Sequence, residues 1–161
     1  MTYFLKNGYQ ENLEAATFEG EDAGSYWTEA RIQTATEFQW QVYQLARELS
    51  DSRGVTRLLD IGSGPPRKLS ELFAEKKLEI TLVDQPSARS LAEKYLPEAE
   101  FIGANLEDAS EIQPGKFDVV ICADVVEHLY DPLPCLSLIS RASAIVGLAS
   151  ISTPERDLRY G

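Results

Sequence analysis

Basic stretches are the first thing missing from this chain: 15 Lys and Arg stand against 26 Asp and Glu over 161 residues, a formal net charge of −11, and no Lys/Arg block gathers anywhere. A field of that sign repels phosphate backbones, so nucleic acid is a poor partner. Cysteine is equally scarce. Cys122 falls in an apolar strand-like run and Cys135 in a later helix-like segment, a spacing that makes neither a redox C-x-x-C nor a zinc knuckle, so both read as buried thiols. With a single histidine, His128, a structural metal would need an unusual ligand set, and no metal is assigned. No apolar run approaches the ~20 residues of a membrane span, and the opening Met1 to Gly8 has no signal-peptide core. These absences lead us to expect a cytoplasmic protein with no membrane partner. What remains, 43% hydrophobic and 25% charged residues, is ordinary for one globular core.

Along the chain, residues 1–24 read as an irregular lead-in broken by Gly8, Gly20 and Gly24, and residues 25–161 as a single domain. From Ser25, a possible N-cap, to Gly54, a possible C-cap, apolar Ala35, Phe38, Val42, Leu45 and Leu49 recur at three- and four-residue spacing. That spacing predicts one long amphipathic helix with this stripe packed inward. After Gly54 strands and helices alternate, as in a parallel sheet with crossovers. Strands are expected at 57–61, 79–83, 100–102, 117–123 and 145–151, with helices at 67–77, 87–95, 108–112 and 132–144. The run Phe117 to Ala123 is nearly all apolar, as suits a central strand buried on both faces.

The richest chemistry lies at Leu58 to Pro66, where an apolar strand meets a carboxylate and then a glycine-flanked turn, Asp60-Ile61-Gly62-Ser63-Gly64. Gly62 and Gly64 allow a tight turn and close approach of a ligand to backbone. The dinucleotide fingerprint G-x-G-x-x-G would need glycine at Arg67. The pattern D-x-G-x-G instead resembles motif I of the class I S-adenosylmethionine-dependent methyltransferases. That resemblance implies a Rossmann-like, doubly wound α/β sheet, with the turn wrapping the methionine part of S-adenosylmethionine and Asp60 facing its ammonium end. One departure is Pro66, where the family usually has a third glycine. Pro65 and Pro66 also remove two N–H donors, which weakens this helix entrance as an anion site. Without the resemblance, the same turn reads as a tight strand-to-helix connection with Asp60 as a cap.

Three further segments extend the resemblance. Asp84, followed by Gln85, ends the second strand at a spacing from Gly62 that suits a carboxylate gripping ribose hydroxyls; alone, it reads equally as a turn residue before Pro86 and Ser87. Asn105-Leu106 stands where relatives often carry Asp-Leu, which implies contact with the adenine amino group and ring; the alternative is a turn-forming Asn. Gly115 to Leu129 resembles the F-D-V-V…E-H-L stretch of small-molecule methyltransferases related to the ubiquinone-biosynthesis enzymes, placing Ala123 and Asp124 beside the cofactor. Asp118 opens that strand in a structural role. Histidine is the side chain whose unperturbed pKa lies nearest neutrality, so His128 can accept a proton from an acceptor, or else hydrogen-bonds locally and shapes the pocket wall. An N-terminal helix in such relatives helps to cover the cofactor, which would bring Tyr26 or Trp27 near the pocket. Phe18 to Trp27 and Ser150 to Asp157 are similar to segments of bacterial glycan-associated methyltransferases.

The family sheet has seven strands and only five are expected here, so the strand at 145–151 is expected as an apolar edge. That edge predicts a homodimer sealed there or a chain shortened from a longer protein. Three functions follow in descending order: an S-adenosylmethionine-dependent methyltransferase acting on a small-molecule or glycan-type acceptor; a non-catalytic cofactor-binding or scaffold protein of the same descent; and an NAD-dependent oxidoreductase, opposed by Asp60, Arg67 and the fourth segment.

Overall fold

The long helix forms between two local signals. In a computed structural model, which describes residues 27–153, the Thr28 side chain accepts the Arg31 N–H at 3.4 Å and so caps helix α1, Glu29–Arg53. Gly54 ends it in the left-handed conformation (φ 63°), its N–H bonded to the Ser50 carbonyl. The expected N-cap, Ser25, lies outside the described residues. The face that α1 buries is not the expected stripe. Ile32, Tyr43, Ala46 and Ser50 point inward, whereas Phe38 is 67% and Leu45 49% exposed. Polar Tyr43 and Ser50 can be buried, and Gln39 half-buried, because each finds a hydrogen-bond partner: Gln39 and Tyr43 below the site, Ser50 on the Ala46 carbonyl.

The sheet is wholly parallel, in the order β3-β2-β1-β4-β5. Its strands are β1 Arg57–Ile61, β2 Glu79–Asp84, β3 Glu100–Gly103, β4 Phe117–Ala123 and β5 Ser143–Ser152. Central β1 pairs with β4 through Leu58↔Val119 and Asp60↔Ile121, and with β2 through Asp60↔Leu82. Because successive side chains alternate across a strand, the sheet feeds two cores. On one face Leu58, Leu82, Val119 and Ile121 meet Tyr43 and Ala46 of α1, Leu69 of α2 (Arg67–Leu72), and Ala92 of α3 (Arg89–Tyr95). On the other Leu59, Ile61, Val83 and Val120 meet Cys135, Leu138 and Ile139 of α4 (Leu133–Ala142) and the 3-10 segment Leu106–Glu111. This is the expected doubly wound Rossmann-like architecture.

Two helices differ from expectation. The one predicted to reach Lys77 stops at Leu72, where Arg47 of α1 donates to the Leu72 carbonyl and so takes up a helix-end acceptor. The segment predicted at 108–112 is a 3-10 stretch beginning at Leu106, because the Asn105 side chain caps it by accepting the Glu107 N–H at 3.0 Å.

Among the described residues β5 is an edge. Its pairing is broken at the start: β4 advances from Phe117 to Val119 while β5 advances from Ser143 to Leu148. The surplus residues bulge outward. Gly147 permits this, since a Cβ there would lie 2.9 Å from the Phe117 carbonyl oxygen. The bulge leaves Ile145 and Val146 almost fully exposed. At this same end of β4, Asp118 accepts the backbone N–H groups of Thr56 and Arg57 at 2.9 and 3.0 Å, and these bonds hold its carboxyl below the usual range. Its structural role is thus as expected.

Candidate functional site

Parallel strands bring their carboxyl ends to one side of the sheet, and there the expected site residues gather. Gly62 and Gly64 take φ values of 68° and 51°, the left-handed region in which glycine carries no penalty. Neither position has room for a side chain. A Cβ on Gly62 would fall 2.3 Å from Val125 Cγ2, and one on Gly64 would fall 3.0 Å from the Trp27 ring. Trp27 therefore closes over the turn as expected of the segment preceding α1, while Tyr26 lies outside the described residues.

Asp84 and the glycine turn form one unit. Asp84 Oδ2 accepts the Gly64 N–H and Oδ1 the Gln85 N–H, each at 2.7 Å. Its carbonyl accepts the Ala104 N–H at 2.8 Å, and the Val83 carbonyl accepts the Gly62 N–H at 2.7 Å. The ends of β1, β2 and β3 are thereby sewn together. Burial raises the Asp84 carboxyl above its ordinary range, and the two backbone N–H bonds oppose the rise. Each carboxylate oxygen keeps a second acceptor direction.

At the end of β4, Ala123 is buried and Asp124 adopts φ 55°, unusual for a residue with a side chain. Hydrogen bonds hold it there: its N–H donates to the Ser152 carbonyl at 3.0 Å and the Ser152 hydroxyl donates to its Oδ1 at 3.1 Å. His128 ends the short 3-10 segment Val126–His128 and is exposed on the same loop. Glu107 carries the loop's far side, accepting the N–H groups of Tyr130 and Asp131 at 2.6 and 3.1 Å.

Two expected residues have bonding partners within the fold. Asp60 is fully buried (0% exposed), and both its oxygens face the Tyr43 hydroxyl, which donates at 2.9 and 3.1 Å. Its carboxyl is thus enclosed between β1 and α1. Burial pushes this carboxyl up to about 7, with Lys68 and the Tyr43 hydrogen bond pulling the other way. Asn105 is exposed and uses its side-chain oxygen as a turn cap, with Leu106 buried beside it. Ile61 and Ser63 are buried within the turn, and Gln85 opens the following 3-10 segment.

Sequence reasoning missed Tyr43, Lys68 and Gln39. Lys68, 3% exposed, donates to Gln39 Oε1 at 2.6 Å, and Gln39 Nε2 donates to the Ala123 carbonyl at 3.2 Å. The available signal was Gln39 and Tyr43 one helical turn apart on a face that also carries Ala46 and Ser50. No local pattern marked Lys68. Cys122 and Cys135 are buried thiols in hydrogen-bond contact, as expected of inert core cysteines, and that contact together with burial pushes Cys122 up.

Arranged this way, the strand ends present fixed carboxylates and a glycine turn but few free backbone donors, a chemistry suited to hydroxyl-rich or cationic ligands. A family model described as a methyltransferase domain matches residues 59–150. The chain belongs to this methyltransferase domain family. It is 34% identical over 105 residues to the ubiquinone biosynthesis O-methyltransferase of Xanthomonas campestris pv. campestris (strain B100), a match covering 62% of this chain and 44% of the relative. The corresponding enzyme of Caulobacter sp. (strain K31) is 36% identical over 126 residues, 71% of this chain and 49% of the relative. The chain thus spans about half the length of these curated relatives. Among solved structures, the plantazolicin methyltransferase BpumL in complex with SAH superposes with a TM-score of 0.62 at 16% identity, over 92% of this chain and 63% of that one. SAM-bound CalS10, an amino pentose methyltransferase from Micromonospora echinaspora, gives 0.61 at 18% identity, over 96% and 60%. At such identities these superpositions establish the fold. The class I resemblance read from motif I is borne out. No helix among the described residues is long and apolar enough to cross a membrane.

Proposed function

We propose that this chain is an S-adenosylmethionine-dependent methyltransferase domain whose cofactor lies across the carboxyl ends of β1, β2 and β4. The observation that carries this reading is the joining of the Asp84 carboxylate to the glycine turn through the Gly64 N–H at 2.7 Å. One carboxylate thereby both braces the turn and offers acceptors at the strand ends. The donor set fits the group. Pro65 and Pro66 remove N–H groups that a phosphate would use, and Asp60, Asp84 and Asp124 make the region hostile to anions but hospitable to ribose hydroxyls and a cation. Asp84 binds the ribose, the turn from Ile61 to Gly64 carries the methionine portion, Asn105 and Leu106 meet the adenine, and Gln85, Ala123 and Asp124 complete the wall.

When bound, the cofactor would supply an electrophilic methyl on a sulfonium sulfur for transfer to an acceptor oxygen. The chain's own work is chiefly to align the two reactants and keep water away, and positioning alone is able to supply much of the rate enhancement. Trp27 covers the turn, and His128 takes the proton lost by the acceptor hydroxyl. The acceptor is a small hydroxylated molecule of sugar type. The O-methyltransferase relatives support transfer to oxygen, and the amino pentose enzyme makes sugars the first screen.

Calorimetry with S-adenosylmethionine, S-adenosylhomocysteine and NAD tests the reading. Binding of both adenosyl compounds without NAD is expected, and binding of NAD alone would overturn it in favour of an oxidoreductase. Transfer of labelled methyl to a hydroxylated acceptor then separates a catalyst from a cofactor-binding scaffold. The scaffold reading has its own support in the exposed strand β5, whose Ile145 and Val146 and absence of charge suit a second copy of the chain. Sedimentation giving a monomer at all concentrations would remove that homodimer.

A further inference from the structure

One cluster of polar groups lies beneath the strand ends and includes three side chains, Lys68, Gln39 and Tyr43, to which no part in holding cofactor or acceptor has been given. Lys68 sits at its centre. The residue is 3% exposed, and its ammonium donates to Gln39 Oε1 at 2.6 Å and stands 4.8 Å from the centroid of the Tyr43 ring. Tyr43 in turn donates to both oxygens of Asp60, and Gln39 donates to the Ala123 carbonyl. A single cation therefore stands between the end of β1, which carries the glycine turn, and the end of β4, which carries Asp124. Burying an ammonium and a carboxylate is expensive unless each compensates the other, and hydrocarbon side chains would serve as well if packing were the only requirement. A charged group kept here under such a penalty points to a positioning task.

We propose that Lys68 is a positioning residue of the cofactor pocket: it holds the Asp60 carboxylate charged behind the Gly62–Gly64 turn and, through Gln39, fixes the carboxyl end of β4. The inference rests on the reading of this pocket as an S-adenosylmethionine site. Its logic lies in the hydrogen bond between Tyr43 and Asp60. As a carboxylate, Asp60 accepts the Tyr43 hydroxyl proton on either oxygen; as a carboxylic acid, it brings a proton of its own and the arrangement must change. The charged form also offers favourable potential to the cationic end of the cofactor through a low-dielectric wall. The titratable groups facing Asp60 are Tyr43 from α1, Lys68 from α2, Asp84 from β2 and Cys122 from β4, and of these Lys68 supplies the cation. Burial brings the Asp60 titration close to neutrality, and Lys68 gives the leading opposition to that rise. Lys68 itself is lowered by burial, with Asp60 and then Asp124 opposing.

The test uses the full chain as wild type, Lys68→Met and Lys68→Arg, with carbon-13-labelled aspartate and lysine. The Asp60 carboxyl resonance is assigned by its loss in Asp60→Asn. Lys68→Met is expected to move the Asp60 midpoint up by about one unit or more, the size of an opposite-charge effect at close range, and Lys68→Arg to return most of it. Affinity for S-adenosylhomocysteine should fall about tenfold in Lys68→Met near pH 6.5 and converge with wild type above the shifted midpoint. An unmoved midpoint overturns the proposal, as does a loss of affinity that is equal at every pH and not restored by arginine. Should Lys68→Met fail to fold, the wild type still decides: the Lys68 side-chain resonance must remain that of an ammonium while Asp60 titrates, and a neutral Lys68 at pH 7 overturns the assignment. If the wild type binds no adenosyl compound at any pH, the pocket reading fails, and the Asp60 titration separately reports whether Lys68 holds that charge.

Discussion

The carboxyl ends of the strands and the outer edge at β5 invert each other. At the strand ends, groups that ordinarily seek water are buried: Asp60, Lys68 and the Tyr43 hydroxyl, together with backbone held by the Asp84 carboxylate. At the edge, groups that ordinarily avoid water are exposed: Ile145, Val146 and Ile151 on β5. Both arrangements depart from what stability alone would select. The first keeps polar groups rigid where a ligand is to be held. The second leaves apolar surface where a further polypeptide surface can be received. The difference teaches that exposure alone does not locate function in this molecule; the misplacement of chemistry in either direction does.

The sharpest way to break the first region is Gly62→Ala. The added Cβ meets Val125 Cγ2 at 2.3 Å and the backbone sits at φ 68°, so clash and strain act together. Urea denaturation should register a loss of about 2–5 kcal/mol, and a second change, Val125→Ala, should return only the part due to the clash.

Next in size is the response to pH. The folded Asp60 carboxyl titrates near 7 whereas an unfolded aspartate titrates near ~3.9, so the native chain binds this proton more tightly. The stability it contributes is therefore fully present below the unfolded value and is lost as pH rises through the folded one. Over that window the loss is on the order of 4 kcal/mol at most. Urea midpoints of Asp60→Asn should lack this slope; an unchanged slope would assign it to other groups.

Asp84→Ala should cost less in stability than in binding. Two backbone N–H groups lose an acceptor, about 1–3 kcal/mol, while calorimetric affinity for S-adenosylhomocysteine falls tenfold or more if Asp84 grips the ribose. The smallest effect belongs to the edge. Val146→Lys, on an exposed bulge, should shift thermal stability by no more than ~0.5 kcal/mol, yet abolish any concentration-dependent self-association seen in sedimentation. If the substitution unfolded the protein, the distinction between edge and strand ends would collapse.

The positions of the strands along the chain and the site loops were legible because each has a local cause. An apolar run buried on both faces predicts central β4, and glycines at φ 68° and 51° predict the turn at Gly62 to Gly64. The orientation of α1 was not legible. Its apolar positions 35, 38, 42, 45 and 49 form a convincing stripe, but the inward face was decided by polar partners 29 and 17 residues away, Lys68 for Gln39 and Asp60 for Tyr43. A period in one segment carries no information about an acceptor in another. For the same reason Asp60 was recognised as important while its bond to the Tyr43 hydroxyl, 17 residues away, was not.

The bulge at Ala144 to Gly147 limits what can be added at the edge. An incoming strand needs an uninterrupted row of backbone donors and acceptors, and here the regular pairing to β4 resumes only at Leu148 and runs to Ser152. At roughly 3.3 Å per residue that offers a template about 17 Å long, enough for one short strand and too short to seed a continuous stack. The distortion that pushes Ile145 and Val146 into water also rations the edge, admitting a fitted neighbour while discouraging open-ended growth.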